Sequence, residues 1–321
     1  MIENKLLIIG PLPENHGIGG VTIHVQRLLD YLDKNGVSCS FCDYGKVSCI
    51  GLLKRMSRTS TIHIHISNPV FLFLITLCCR LMCKKVIVTL HGNYGRFSSF
   101  KNFLVRRTIS MSTIPVLVNE KSYIICRKFN KRAVLIPAFI PPQKEEKLNS
   151  EILSLLERLH KEGKKIVSTN AYNVSFDKYG NDTYGIDFLV QYFKKSADYA
   201  MLVSDPSGNY AKRYEGREME VDGNVFFIDY PHSFFELLKH VDYFVRNTST
   251  DGDALSVKEA LYLGVPTLCT DVVDRPESVR LFKYCDRISF EKALMVPAMG
   301  NRKIENGAEK IVTVYKELLK C

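Results

Sequence analysis

The chain has 321 residues, of which 46% are apolar and 24% charged; this excludes a disordered polymer and leaves material for two buried cores. Its formal charge of +10 is unevenly placed, because residues 1–145 hold 20 Lys and Arg against 7 Asp and Glu while residues 146–321 hold 24 against 27. Ten cysteines without a secretory leader pattern argue for a reducing cytoplasm rather than a disulfide framework, and the basic half calls for an anionic partner, either nucleic acid or an anionic membrane surface.

Lys5 to Gly10 (K-L-L-I-I-G) is a short apolar run ending in glycine, the pattern of a buried parallel strand. A loop with Gly17, Gly19 and Gly20 follows, then a helix from Val21 to Asn35 with Val21, Val25, Leu28, Leu29 and Leu32 at helical spacing. Strand, glycine-rich loop and helix make a phosphate-cradle layout, although the G-x-G-x-x-G fingerprint is absent and the glycines also fit a flexible turn. Val37 to Asp43 reads as the next strand. It contains Cys39-x-x-Cys42, but residues three apart on a strand face opposite sides, which is poor geometry for one metal.

Thr61 to Ile66 (T-I-H-I-H-I) is a strand with His63 and His65 on one face. The pair is compatible with a metal and, more simply, with strand-end packing. Val70 to Cys83 is an apolar helix, shorter than the ~20 residues needed to span a bilayer. Lys85 to Leu90 is a buried strand that delivers His91 to its carboxyl end, where ligands of open parallel sheets sit. A segment rich in Arg and Ser follows, then strands at Val116–Val118 and Val134–Ile136. Pro137, Pro141 and Pro142 mark a linker. The expected first domain is 1–142, with the helix at the chain end, 306–321, packing back onto it.

The expected second domain, 143–305, opens with an amphipathic helix at Ser150–Glu162 and a strand from Lys165. A loop from Thr169 to Tyr184, a helix at Gly185–Lys195, strands at Tyr199–Val203 and Val225–Ile228, a helix at His232–His240 and a strand at Tyr243–Val245 follow. Strands alternating with helices in both halves imply an α/β chain with two doubly wound domains. The stretch Thr248–Thr270 (T-S-T-D-G-D-A-L-S-V-K-E-A-L-Y-L-G-V-P-T-L-C-T) then reads as loop, helix and buried strand. Amides at the start of that helix, near Ala254, Leu255 and Ser256, suit a phosphate. Asp251 and Glu259 flank them as candidate partners for sugar hydroxyls. Ser256-x-x-Glu259 is equally a capping box, Asp251 and Asp253 beside Gly252 are equally turn residues, and Asp253 is also a candidate cap of the helix.

The segments G-G-V-T-I-H-V, T-L-H-G, I-P-A-F-I-P-P and D-G-D-A-L-S-V-K-E-A-L-Y-L-G-V-P-T-L-C-T together resemble a family-4-type retaining glycosyltransferase of GT-B fold. The stretch V-R-N-T-S-T-D-G-D resembles a subgroup met in bacterial surface-polysaccharide synthesis. The resemblance implies two Rossmann-like domains facing each other across a cleft. It implies that Asp251 holds donor-sugar hydroxyls, Glu259 the ribose, and the amides near Ala254–Ser256 the phosphate. His91 would sit near donor sugar and acceptor, and Gly19 and Gly20 would let a loop approach the diphosphate.

The chain departs from the family where an Arg and a Lys usually neutralise the leaving diphosphate. No Arg occurs in Thr169–Tyr184, and Tyr184 stands where the Lys is expected. Arg246 and Arg275 are the expected substitutes, with Lys178 a weaker third. The implied chemistry is metal-free and cofactor-free transfer from a nucleotide-diphosphate sugar to a glycan acceptor, expected to be lipid-linked. The acceptor would lie at the inner face of the plasma membrane, reached through the basic first half in peripheral contact. A sugar-nucleotide 2-epimerase of the same build and a degenerate sugar-nucleotide-binding protein are the rival readings. No nucleic-acid-binding motif accompanies the charge, so nucleic acid is not expected.

Overall fold

The computed structural model describes residues 5–17, 19–214, 223–252, 254–296 and 304–319. It divides into two compact units, 1–144 with 305–321, and 145–304. The first break thus falls two residues beyond the proline-marked boundary.

The first unit runs β1 (Leu6–Gly10), α1 (Pro13–His16), α2 (Gly20–Lys34), β2 (Ser40–Asp43), α3 (Cys49–Ser57), β3 (Thr61–Ile64), α4 (Pro69–Leu81), β4 (Lys85–Leu90), α5 (Ser99–Met111), β5 (Ile114–Leu117), α6 (Glu120–Cys126) and β6 (Val134–Leu135). The strands form one parallel sheet in the order β2-β1-β3-β4-β5-β6. Successive residues of β1 serve opposite faces, as the strand period of two demands. Leu6 and Ile8 pack with Leu28 and Leu32 of α2, whereas Leu7 and Ile9 pack with Leu52 and Met56 of α3 and Leu72 and Ile75 of α4.

The second unit runs α7 (Ser150–Lys161), β7 (Lys165–Asn170), α8 (Ile186–Phe193), β8 (Tyr199–Ser204), α9 (Asn209–Tyr214), β9 (Val225–Ile228), α10 (Phe234–Leu238), β10 (Tyr243–Arg246), α11 (Leu255–Leu263), β11 (Thr267–Thr270), β12 (Arg280–Phe282) and α12 (Arg287–Met295). Its parallel sheet has the order β12-β11-β10-β7-β8-β9. The chain builds outward from β7 to β9 and then returns to build the other way from β10. The strand order therefore reverses between β7 and β10, and ligands of open sheets bind beyond the carboxyl ends at such a point. In the first unit the reversal lies between β1 and β3.

The last helix, α13 (Gly307–Leu319), belongs to the first unit. Its buried face of Ala308, Ile311, Val314, Tyr315 and Leu318 joins the core that holds Leu6 and Ile8. Each large apolar side chain there contributes roughly 1.5–3 kcal/mol before conformational entropy is set against it. Gly307 is required by packing, since a Cβ there would lie 2.1 Å from the Pro137 carbonyl oxygen. The Tyr315 hydroxyl meets His63 Nδ1 at 2.6 Å, and Lys85 Nζ donates to the Leu318 carbonyl at 2.8 Å.

Two elements differ from expectation for local reasons. The strand after α2 starts at Ser40 rather than Val37, because the Val37 amide is spent on the Leu32 carbonyl at 2.9 Å, closing the helix end. The Arg- and Ser-rich segment forms α5, whose thin apolar stripe of Leu104, Val105, Thr108 and Ile109 is buried. No helix among the described residues is long and apolar enough to cross a membrane.

Candidate functional site

In the second unit the reversal point carries Asn170 at the end of β7 and Arg246 at the end of β10. Arg246 is the centre of a network. It donates to Asp251 through Nε (3.2 Å) and Nη2 (3.1 Å), and through Nη1 to Asn170 Oδ1 (3.1 Å) and the Asn170 carbonyl (3.3 Å). Its guanidinium lies 5.2 Å from the ring centroid of Tyr184, a cation–π distance. Arg275, from the loop after β11, donates to Asp251 Oδ2 at 2.8 Å and to the Thr270 carbonyl at 3.3 Å. All three charged side chains are buried, at 11% exposure for Arg246, 6% for Asp251 and 3% for Arg275.

Two cations share one anion, so the cluster retains one net positive charge. Burial alone would raise the Asp251 carboxyl, but Arg246 and then Arg275 outweigh it and hold the group below its usual range. Each Asp251 oxygen is occupied: Oδ1 by Arg246 and the Gly252 amide (2.9 Å), Oδ2 by Arg246, Arg275 and Thr248 (3.4 Å). A carboxylate offers about four lone-pair sites, and these contacts fill them. Asp251 therefore braces the two arginines, with little capacity left for sugar hydroxyls in this arrangement.

Beside the cluster, α11 begins at Leu255 with Ala254 as its N-cap and no side-chain cap bond. Its N-cap residue, an alanine, thus offers no side-chain acceptor to the first helix amides. A capping box would need Ser256 at the cap position, but Ser256 already lies inside the helix, so that alternative fails. Ser256 and Glu259 are both buried. A Cβ added to Gly252 would meet open space. Asp253 lies outside the described residues. Gly264 in the left-handed region (φ 80°) ends the helix and turns the chain into β11. Lys178 is exposed, sits over the Tyr179 ring and takes no part in the cluster.

The first unit presents a different arrangement. Gly19 caps α2 with extended backbone (φ −150°), and a Cβ on Gly19 or Gly20 would meet essentially open space. Neither glycine is demanded by backbone angle or by internal packing, unlike Gly10, whose Cβ would crowd Val25 at 3.0 Å. Close approach by a ligand is a reason that remains. His91 stands just beyond β4, half-buried, with Nε2 at 2.9 Å from His65 Nδ1. Burial, helped by the neighbouring His24, His63 and Arg96, pushes its basicity well below that of a free imidazole. His91 is thus neutral near pH 7, able to give or take a hydrogen bond without carrying charge.

The sequence reading named Arg246, Asp251 and Arg275 singly, and the structure joins them. It did not name Asn170 as a partner, or Tyr184 as a stacking platform. The signal available was position, since both flank the loop that leaves the central strand β7.

No protein-family model matches the chain, and no curated protein is significantly similar to it. Several solved structures are similar in fold. The HepE protein of Anabaena, solved with UDP, is 11% identical with a TM-score of 0.67 over 98% of each chain. Sucrose-phosphate synthase from Thermosynechococcus elongatus is 13% identical with a TM-score of 0.67 over 98% of this chain and 99% of that one. UDP-GlcNAc 2-epimerase from Methanocaldococcus jannaschii is 11% identical with a TM-score of 0.58 over 97% and 99%. Two parallel six-stranded sheets flanked by helices, together with these likenesses, make the fold GT-B.

Proposed function

We propose that the chain is a glycosyltransferase that moves a sugar from a nucleotide-diphosphate sugar to a glycan acceptor, with retention of configuration, in surface-polysaccharide synthesis. The observation that carries this reading is the Arg246–Asp251–Arg275 cluster with its net positive charge. It lies at the reversal point of the second sheet, next to the start of α11, where Ala254 makes no side-chain cap bond. A departing nucleoside diphosphate needs such a charge when no metal supplies it. The two arginines stand in for the missing basic pair, and Arg246 uses Tyr184, the residue in place of the usual Lys, as its platform.

The diphosphate is taken by amides at Leu255 and Ser256 and by the arginine pair, with Asp251 holding both guanidiniums in place. Glu259 accepts from the ribose hydroxyls. In the reaction the acceptor hydroxyl oxygen bonds to the anomeric carbon on the side from which the diphosphate departs. The carbon–oxygen bond to phosphate breaks, and the hydroxyl proton passes to a phosphate oxygen. Neither a protein nucleophile nor a metal takes part in these steps. Neutral His91 orients a hydroxyl of donor or acceptor, and Gly19 and Gly20 admit the substrate to the first unit's loop.

The acceptor is lipid-linked in this reading, and the protein docks at the inner face of the plasma membrane. Support comes from α4 and α5, which pack together in the first unit. They expose Leu74, Leu81, Phe100 and Phe103 beside Arg80, Lys101, Arg106 and Arg107, a mixture that suits an anionic lipid surface. The test of the whole reading is a transfer assay over nucleotide sugars with lipid-linked acceptors: Arg275→Ala abolishes a wild-type transfer activity while the protein stays folded.

A second reading, a sugar-nucleotide 2-epimerase, is favoured by the likeness to the epimerase of the same fold. Incubation with a nucleotide sugar and no acceptor separates the two, because only an epimerase converts it.

A further inference from the structure

The first unit gathers histidines from three elements. His24 lies on α2, His65 directly follows β3 and His91 directly follows β4. One ring nitrogen from each lies within 4.8 Å of the other two. The ring centroids are 5.2 Å apart for His24 and His65, 4.8 Å for His24 and His91, and 5.2 Å for His65 and His91. A tetrahedral ion with zinc–nitrogen bonds of ~2.0–2.1 Å sets three imidazole centres about 5 Å apart. The centroid triangle has that size, and the ring nitrogens, now within 4.8 Å of one another, would turn to the ~3.3 Å separation that such bonds set.

Hydrogen bonding prepares His24 for the same task. His24 Nδ1 lies 2.7 Å from the Ala138 carbonyl, which can only accept, so Nδ1 carries the proton and Nε2 the lone pair. His65 is fully buried, and its Nε2 has no hydrogen-bond partner among the described residues. A buried polar atom left so is uncommon and points to a ligand. His65 Nδ1 and His91 Nε2, 2.9 Å apart, share one proton in the neutral pair, so an ion held by both rings takes the place of this hydrogen bond. His63 packs against His65 with ring centroids 4.1 Å apart but has both nitrogens engaged, by Tyr315 at 2.6 Å and Thr89 at 2.7 Å, so it is a wall of the site and not a ligand. The half-exposed His91 leaves a way in. The positive Arg96, which lies against Gly92, works against positive charge at His91, so a cation held there calls for an anionic fourth ligand such as hydroxide.

We propose that His24, His65 and His91 form a binding site for one divalent first-row transition ion of the zinc class. The proposal rests on the first unit alone and shares His91 with the transfer reaction proposed above, so a bound ion competes there with the hydroxyl that His91 would orient.

The test uses the full chain stripped with a chelator and titrated with Co²⁺. One ion per chain is expected, with the visible absorption of tetrahedral cobalt on nitrogen and oxygen ligands, displaced by Zn²⁺. His24→Gln, His65→Gln and His91→Gln are each expected to weaken binding at least tenfold. Circular dichroism identifies any variant that fails to fold, and the remaining variants then decide. Three results overturn the proposal: no visible band on titration, a thiolate charge-transfer band that places the ion on cysteine, or affinity unchanged in the folded variants.

Discussion

Replacing Asp251 by Asn keeps the shape of the side chain and removes its charge. In the native protein this carboxylate is held by two guanidiniums at 2.8–3.2 Å, in a place where all three groups are nearly closed to water. Without it two buried cations face each other across a neutral amide. Breaking a buried ion pair from one side costs about 3–5 kcal/mol. The lower end applies here, because Arg246 keeps Asn170 and Tyr184 and Arg275 keeps the Thr270 carbonyl. For a unit of this size about 3 kcal/mol lowers Tm by about 6–12 °C. Scanning calorimetry measures this directly. The same variant carries one more positive charge, so UDP in millimolar excess is expected to raise its Tm by more than it raises that of the wild type. An Asp251→Asn variant whose Tm is indistinguishable from that of the wild type, with an equal UDP response, refutes both the brace and its placement on the phosphate site.

The pH dependence follows from the same carboxylate. Its folded value lies below its unfolded value, so its contribution is full above the unfolded range near pH ~4 and is lost as pH falls through the folded value. Calorimetry at descending pH is expected to lower the wild-type Tm in that window more than that of Asp251→Asn. Arg246→Lys keeps the charge but loses the two-point grip on Asp251 and the stacking on Tyr184; turnover is expected to fall at least tenfold in a transfer assay, and to fall further in Arg246→Ala. Transfer is expected to continue in EDTA, since the arginines supply the positive charge; complete loss that Mg²⁺ or Mn²⁺ restores contradicts the mechanism. Flotation with anionic liposomes at low salt is expected to carry the protein, and Phe100→Ser with Arg106→Glu to release it.

Much of the architecture was legible because buried parallel strands read as unbroken apolar runs. K-L-L-I-I-G and K-V-I-V-T-L are β1 and β4 nearly to the residue. Helix α5 was obscure because its buried stripe is narrow and its polar face is rich in Arg and Ser. The ion cluster was visible only in parts. Arg275 and Asp251 are 24 residues apart, and their meeting depends on β11 lying beside β10, which sequence spacing does not encode. The histidine triangle is obscure for the same reason. His65 and His91 meet because β3 and β4 are neighbours, and His24 joins them from α2, which connects β1, the strand on the other side of β3, to β2.

The central claim is that Arg246 and Arg275 form the diphosphate site of a nucleotide-sugar enzyme. Isothermal titration of UDP, GDP and ADP into the wild type and into Arg275→Ala tests it most directly. At least one nucleotide is expected to bind the wild type, with affinity lost at least tenfold in the variant. Failure of all three to bind, or binding that is indifferent to Arg275, contradicts the claim.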